Sequence, residues 1–227
     1  MSDTDLRLAL FDYDGTLCDS ASHIITTLQN AFETEGVSAP DAAAIRAEIG
    51  AGLMPMVLPY VAHNQQKAEA IFHTYRALAI KDMESHNQDF APLFPGAKKA
   101  LEALQAEGWL LGIITNKSRR GLDHGIDQHQ LGGLIDISVT VDEVPAKPAP
   151  DMALTAMSRL GVMAENAVLV GDTVIDAGCA RNAGISFVGV AWGYHENDAL
   201  IEAGAAGLIT DYADLPDLLA QLTGHTE

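Results

Sequence analysis

Asp12 and Asp14 stand two residues apart at the end of a short apolar run, residues 6–12 (LRLALFD), and Gly15 and Thr16 follow at once. Thr115, Asn116 and Lys117 close a second run, 109–115 (WLLGIIT). Lys147-Pro148 comes a few residues after a third, 135–141 (IDISVTV), and Gly171, Asp172, Thr173 and Asp176 follow a fourth, 167–171 (AVLVG). Carboxylates, hydroxyls and an ammonium in this order suit chemistry at phosphorus. A carboxylate can attack phosphorus as a nucleophile. A second one, Asp14, follows two residues on. A bend at Gly15 would bring Asp14 to the leaving group as general acid, and later to water as general base. Thr115, Asn116 and Lys147 would supply donors to the phosphoryl oxygens, where the transition state carries its charge. Several carboxylates converging without a countercharge repel one another. A divalent cation offsets that repulsion, and a few hard oxygen ligands beside a phosphate site suit Mg2+.

Taken singly, each of these residues has a structural explanation. Asp14-Gly15 is a common turn dipeptide, Thr115 could simply end a strand, Lys147 could be a solvated loop charge, and Asp172 could cap a helix. Their conjunction depends on the elements that carry them. Each apolar run is short enough for a buried strand, and helical spacing fills the intervals: helices are expected over 96–107, from about Ser118, over 151–160, over 174–183 and near 215–222, with further strands at 186–191 and 207–210. Strands alternating with helices imply an α/β fold, a doubly wound, Rossmann-like parallel sheet with right-handed crossovers. Ligands of such sheets bind beyond the carboxyl ends of the strands, where all four motifs fall.

Between the first run and residue 90 the pattern is helical almost throughout. A helix is expected from Ser20 as N-cap, a second opening at Pro40 and ending near Gly50, a third over Met54 to Ala62 and a long one over Gln65 to Met83. Residues 17–90 therefore read as a helical insertion in an α/β core formed by 1–16 and 91–227.

The chain of 227 residues carries 31 acidic and 13 basic side chains, a formal charge of −18. This argues against nucleic acid or an anionic membrane as partner, since phosphate backbones require basic surface. A small phosphorylated metabolite held at one local site is compatible with it. No stretch reaches 18 consecutive apolar residues and the acidic N-terminus lacks a secretory pattern. Cys18 and Cys179 make no disulfide framework and read as small buried hydrophobes, so a reducing cytoplasm is the expected home.

The run Asp12-Tyr13-Asp14-Gly15-Thr16-Leu17 resembles the first motif, DxDGT, of the haloacid dehalogenase superfamily. Thr115-Asn116 resembles the second motif, Lys147-Pro148-Ala149-Pro150-Asp151 the third and Gly171-Asp172-Thr173-Val174-Ile175-Asp176 the fourth, in the family's order and over nearly the whole chain. The resemblance implies Asp12 as nucleophile through an aspartyl-phosphate, and Asp14 as general acid/base with its backbone carbonyl on Mg2+. It implies Thr115 and Lys147 on the phosphoryl group, with Lys147 also balancing Asp12, and Asn116 orienting the phosphate through its N–H. Asp172 would be a direct metal ligand, and Asp176 would support the metal directly or through water. The true dehalogenases of this superfamily lack the second aspartate of the first motif; Asp14 therefore implies phosphate chemistry.

The insertion resembles the helical cap of the subgroup containing phosphoglycolate phosphatase, pyrophosphatase and β-phosphoglucomutase, in which the cap carries much of the specificity. The resemblance implies 2-phosphoglycolate as the first candidate substrate, with pyrophosphatase, nucleotidase and sugar-phosphatase activities as alternatives. A phospho-aspartate switch and a silent binding protein are the remaining readings. Gly50 and Gly52 lie in a run like the substrate-facing cap loop, although an ordinary interhelix turn would look the same, and Arg46 is the cap arginine to watch for a substrate carboxylate. Trp192, Tyr194 and His195 resemble a loop at the active-site rim but are expected to be structural, as are the eight scattered histidines. Oligomeric state is not readable from the residues.

Overall fold

In the computed structural model, which describes residues 6–84 and 91–224, the chain forms two compact units, Met1–Cys18 with Leu93–Glu227, and Asp19–Pro92. The first unit holds six strands: β1 (Leu8–Phe11), β2 (Leu110–Thr115), β3 (Ile137–Thr140), β4 (Ala167–Gly171), β5 (Ser186–Val190) and β6 (Gly207–Ile209). They pair in parallel in the order β3-β2-β1-β4-β5-β6. Every residue of β1 and of β4 is buried. That explains why these strands read as unbroken apolar runs: a parallel sheet is covered on both faces and leaves no side chain in water.

The helices of this unit are α5 (Ala97–Ala106), α6 (Arg119–Gln128), α7 (Asp151–Leu160), α8 (Val174–Ala183), α9 (Asn197–Glu202) and α10 (Leu215–Leu222). Met152, Ala153, Ala156 and Met157 of α7 and Ala177, Cys179 and Ala180 of α8 form one core with Leu8, Leu10, Ile114, Val139, Leu169 and Phe187 of the sheet. Small residues on α8 let the helix lie close to the strands it covers. Leu101 and Leu104 of α5 and Leu215 and Leu219 of α10 are fully buried, and these two helices pack on each other.

The second unit holds α1 (Ala21–Thr34), α2 (Ala42–Glu48), α3 (Leu53–Val57), a 3-10 turn over Leu58–Val61, and α4 (Gln65–Glu84). Helix α1 packs on α4, and Ile24, Leu28, Phe32, Ile45, Val57 and Ile71 are buried.

Several elements fall where periodicity puts them: β4, α7, α8 and α10 match residue for residue. The differences have local causes. The second helix does not open at Pro40. It starts at Ala42, because the Asp41 side chain accepts from the Ala44 N–H and caps it. Ser20 occupies the N-cap of α1 but makes no side-chain cap bond. Helix α9, six residues long, is too short to show a period and is absent from the sequence reading. No helix among the described residues is long and apolar enough to cross a membrane.

Gly112 in β2 marks a close approach. A Cβ there would lie 2.6 Å from Leu10 Cδ2 and 2.9 Å from Ile137 Cγ2. Gly112→Ala overpacks the centre of the sheet and should lower stability by about 1–3 kcal/mol, read as a shift of the urea midpoint at unchanged slope.

Candidate active site

Strand order reverses beside β1: the chain builds outward to β2 and β3, then returns to place β4 on the other flank of β1. A parallel sheet opens a crevice at this switch point, beyond the carboxyl ends of the two strands. Asp12 follows β1 and Asp172 follows β4, and the Asp12 N–H donates to Val170 O at 3.0 Å, extending the ladder to the site. Adjacent strands thus deliver one carboxylate each to the same edge.

Lys147 comes to this edge from the loop after β3. Its ammonium is buried, 2.8 Å from Asp12 Oδ1 and 2.6 Å from Asp176 Oδ1, and donates to the Ile114 carbonyl at 3.0 Å. Asp176 lies in the first turn of α8 and is also fully buried. Its other oxygen, Oδ2, accepts from the Thr173 hydroxyl at 2.6 Å and the Thr173 N–H at 3.1 Å, while the Asp176 N–H donates to Thr173 Oγ1. This capping box makes Thr173 the N-cap of α8. Asp172 just before it is left free of the capping task.

Asp172 is held by other groups. Its Oδ1 accepts from the Thr16 hydroxyl at 2.8 Å and its Oδ2 from the Tyr194 N–H at 2.9 Å. Glycines make room for it. A Cβ at Gly193 would lie 2.0 Å from Asp172 Cβ, and one at Gly15, where φ is +88°, 2.3 Å from Asp172 Oδ2.

Oxygens of Asp12, Asp172 and Asp176 lie within 4.8 Å of one another, all three residues buried. Burial pushes the Asp12 carboxyl up to about 6; Lys147 opposes this, and Asp176 and Asp14 add to it. Asp172 is raised well above the usual carboxylate range by burial first, then by Asp176 and Asp12. Burial alone would lower the Lys147 ammonium, but Asp12 and Asp176 more than reverse this and hold it protonated. Three buried carboxylates face one ammonium, so the site has excess negative charge and hard oxygen donors. Those are the properties of a divalent-cation site.

The structure brings together Asp12, Lys147, Asp172 and Asp176 of the residues expected from the sequence. The Asp14 carboxylate instead pairs with Lys117, whose Nζ is 3.0 Å from both of its oxygens. Thr115 is buried at the end of β2, and its Oγ1 accepts from the Lys117 N–H. The Asn116 side chain bridges the backbone of Lys147: Nδ2 donates to Lys147 O at 3.1 Å, and Oδ1 accepts from Lys147 N–H at 2.8 Å. The sequence reading gave Asn116 a role as a donor to the phosphate; its side chain ties the second motif to the third. Gly50 and Gly52 lie in the helical unit with φ of +104° and +88°, Gly52 at the N-cap of α3, and Arg46 in the last turn of α2. A Cβ at Gly52 would meet no atom within 4 Å, so this glycine serves the backbone conformation.

Trp192, Tyr194 and His195 hydrogen-bond to the segments that carry the cluster. The Trp192 indole N–H donates to Thr16 O at 3.2 Å, the Tyr194 N–H reaches Asp172, and His195 Nδ1 accepts from the Val174 N–H at 3.2 Å. The aromatic-glycine run 192–194 was the available signal. Lys117 stood in plain view beside Asn116, but nothing local points it at Asp14. Cys18 and Cys179 are buried and not in a disulfide, and burial pushes the Cys179 thiol up to about 11.

Comparison with known proteins gives the family. Residues 9–190 match the family model described as haloacid dehalogenase-like hydrolase. A phosphoglycolate phosphatase of Cereibacter sphaeroides (strain ATCC 17029) is 31% identical over 216 residues, covering 94% of this chain and 97% of its own. The pyrophosphatase PpaX of Bacillus velezensis is 30% identical over 193 residues, covering 85% and 86%. Among solved structures, a hydrolase from Pseudomonas syringae superposes with a TM-score of 0.81 at 26% identity, covering 95% of this chain and 98% of that one. The chain belongs to the haloacid dehalogenase-like hydrolases, and to the phosphatases among them that resemble phosphoglycolate phosphatase.

Proposed function

We propose that the protein is a Mg2+-dependent phosphomonoesterase that works through an aspartyl-phosphate on Asp12, with 2-phosphoglycolate as its first candidate substrate. The observation that carries this reading is the buried Asp12 at the end of the central strand, 2.8 Å from the Lys147 ammonium and clustered with Asp172 and Asp176. The relative named phosphoglycolate phosphatase supports the substrate; the relative named pyrophosphatase supports inorganic pyrophosphate as the second one to try.

Asp12, Asp172 and the Asp14 carbonyl would hold the cation, with Asp176 beside them. Once bound, Mg2+ supplies positive charge that favours the ionised form of Asp12 and offsets charge on the phosphoryl oxygens. An Asp12 oxygen bonds to phosphorus as the ester P–O bond breaks. Thr115 donates to the phosphoryl oxygens, Lys147 does so by exchanging one of its three present acceptors, and its charge neutralises part of the charge that attack redistributes. Asp14 gives its proton to the departing oxygen. It then takes a proton from water, whose oxygen bonds to phosphorus as the bond to Asp12 breaks, releasing inorganic phosphate. For both transfers Asp14 must exchange its Lys117 contact for the reacting oxygen. The helical unit Asp19–Pro92, inserted between β1 and β2, is read as the specificity cap, with Gly50 and Gly52 as its substrate-facing positions.

A phosphate-release screen across phosphorylated metabolites with Mg2+ tests the reading. One small ester should dominate, and Asp12→Asn should lose about 10³-fold or more in kcat. Phosphate label should be trapped on wild type and not on the variant. Equal slow cleavage of many esters would remove 2-phosphoglycolate; no cleavage by intact, metal-binding protein would remove the phosphatase reading.

Asp14→Asn should lower turnover by about 10²- to 10⁴-fold while leaving Mg2+ binding in place. Normal turnover in that variant would take Asp14 out of the mechanism.

The raised Asp12 carboxyl also gives a pH signature. The folded state binds this proton more tightly than the unfolded chain does. Its contribution is therefore present below the ordinary value of 3.8 and lost as pH rises through about 6. Asp172 has the same sign. In chelator, the stability of wild type relative to Asp12→Asn should fall by on the order of 2 kcal/mol between about pH 4 and about pH 7, followed by urea denaturation. Mg2+ should stabilise wild type more at the upper end. A difference that stays flat with pH would mean that Asp12 ionises without cost.

A further inference from the structure

Thr16 is fully buried and belongs to neither the nucleophile nor the metal ligands, yet three groups converge on it. Its carbonyl oxygen accepts from the Tyr212 hydroxyl at 2.7 Å and from the Trp192 indole N–H at 3.2 Å. Its own hydroxyl donates to Asp172 Oδ1 at 2.8 Å. The two donors come from far along the chain. Trp192 follows β5, and Tyr212 lies in a 3-10 turn over Tyr212–Asp214 after β6, 196 residues from Thr16. Their rings lie 4.6 Å apart between centroids, and Phe94 adds a third ring 6.0 Å from Trp192.

We propose that Tyr212 and Trp192 are positioning residues for the metal ligand Asp172, acting through Thr16. This rests on the reading of Asp172 as a ligand. A carbonyl oxygen has two lone pairs, and here it accepts from two donors, the buried Tyr212 hydroxyl and the half-buried Trp192 indole, so the Thr16 peptide is held in place. With its backbone fixed, the Thr16 hydroxyl has a set direction, and its donation fixes the rotation of the Asp172 carboxylate. The Tyr194 N–H holds the second oxygen, and Gly15 and Gly193 pack close against the Asp172 side chain. Outer groups of this kind orient metal ligands and tune affinity. Packing alone would need only the rings. The Tyr212 hydroxyl, on a residue 1% exposed, makes its hydrogen bond to the Thr16 carbonyl, which satisfies the buried hydroxyl and ties the ring to the Thr16 peptide.

The test is calorimetric titration of Mg2+ into chelator-treated protein, with melting temperature recorded alongside. Tyr212→Phe keeps the ring and removes one donor; Trp192→Phe removes the other. Each should raise the Kd for Mg2+ by about three- to tenfold, the effect of one lost hydrogen bond passed through one residue. Thr16→Val, which breaks the link to Asp172, should raise it at least as much. Adding Tyr212→Phe to Thr16→Val should change Kd no further, since the donor then has nothing to transmit. A lower melting temperature with unchanged Kd in both aromatic variants would show that the rings only pack, and would overturn the proposal. So would additive effects of Tyr212→Phe and Thr16→Val on Kd. Wild type that binds no Mg2+ would instead overturn the metal reading and this inference with it, an outcome visible before any variant is made.

Discussion

The Lys147 ammonium places its N–H bonds on acceptors inside the protein: the carboxylates of Asp12 and Asp176 and the carbonyl of Ile114. Burying an ammonium is costly unless it is paired and hydrogen-bonded. Burying the carboxylates is equally costly without it. The pairing meets part of this demand, but one positive charge does not balance Asp12, Asp172 and Asp176 together. The remaining imbalance is the chemical content of the site. It raises Asp12 and Asp172 above their ordinary range and leaves a place where a cation is favourable. The same imbalance would tear the site open if the surrounding backbone could yield.

Much of the first unit is arranged so that it does not yield. Asp12 and Asp172 are delivered by adjacent, fully buried strands whose register is set over the whole of β1. Asp176 is locked by the capping box of the helix on which it sits, with Lys147 on its other oxygen. The loop that carries Lys147 is clamped at both backbone polar groups by the Asn116 side chain. Asp172, with no ammonium of its own, is held by Thr16, the Tyr194 N–H and the two glycines that crowd it. The carboxylates that Lys147 does not balance are thus held by more than one hydrogen bond each, which keeps their direction fixed.

The parts legible in the sequence are those governed by local rules. A parallel strand buried on both faces must be an apolar run, so β1, β2 and β4 announce themselves and the polar residues after them can be placed at one sheet edge. Helices such as α7 and α8 carry a helical period and stop at Gly161 and Gly184, whose φ values are positive. What was illegible is set by distance along the chain. Lys117 meets Asp14 across 103 residues, and Tyr212 meets Thr16 across 196. No spacing rule links such pairs. The position of Trp192 after a strand gave its neighbourhood but not its partner. Asn116 shows the same division: its strand-end place was readable, its grip on the loop of the third motif was not.

Asp12 and Asp14 show how two identical side chains, two residues apart, come to differ. On a continued strand they would share one face, but the chain turns at Tyr13 just after β1 and their carboxylates go to different partners. Asp12 enters the buried cluster, where desolvation and neighbouring carboxylates oppose its charge. Asp14 turns to a partly exposed ion pair, where Lys117 meets both of its oxygens and its side chain keeps 15% of its surface in water. A group that must attack is best held still and short of solvent. A group that must give and then recover a proton has to move and to reach water. The sequence places both carboxylates on one short segment, and the bend at Gly15 lets one fold serve both needs. Separate environments of this kind suit two like groups to the two roles proposed for them without any difference in their chemistry.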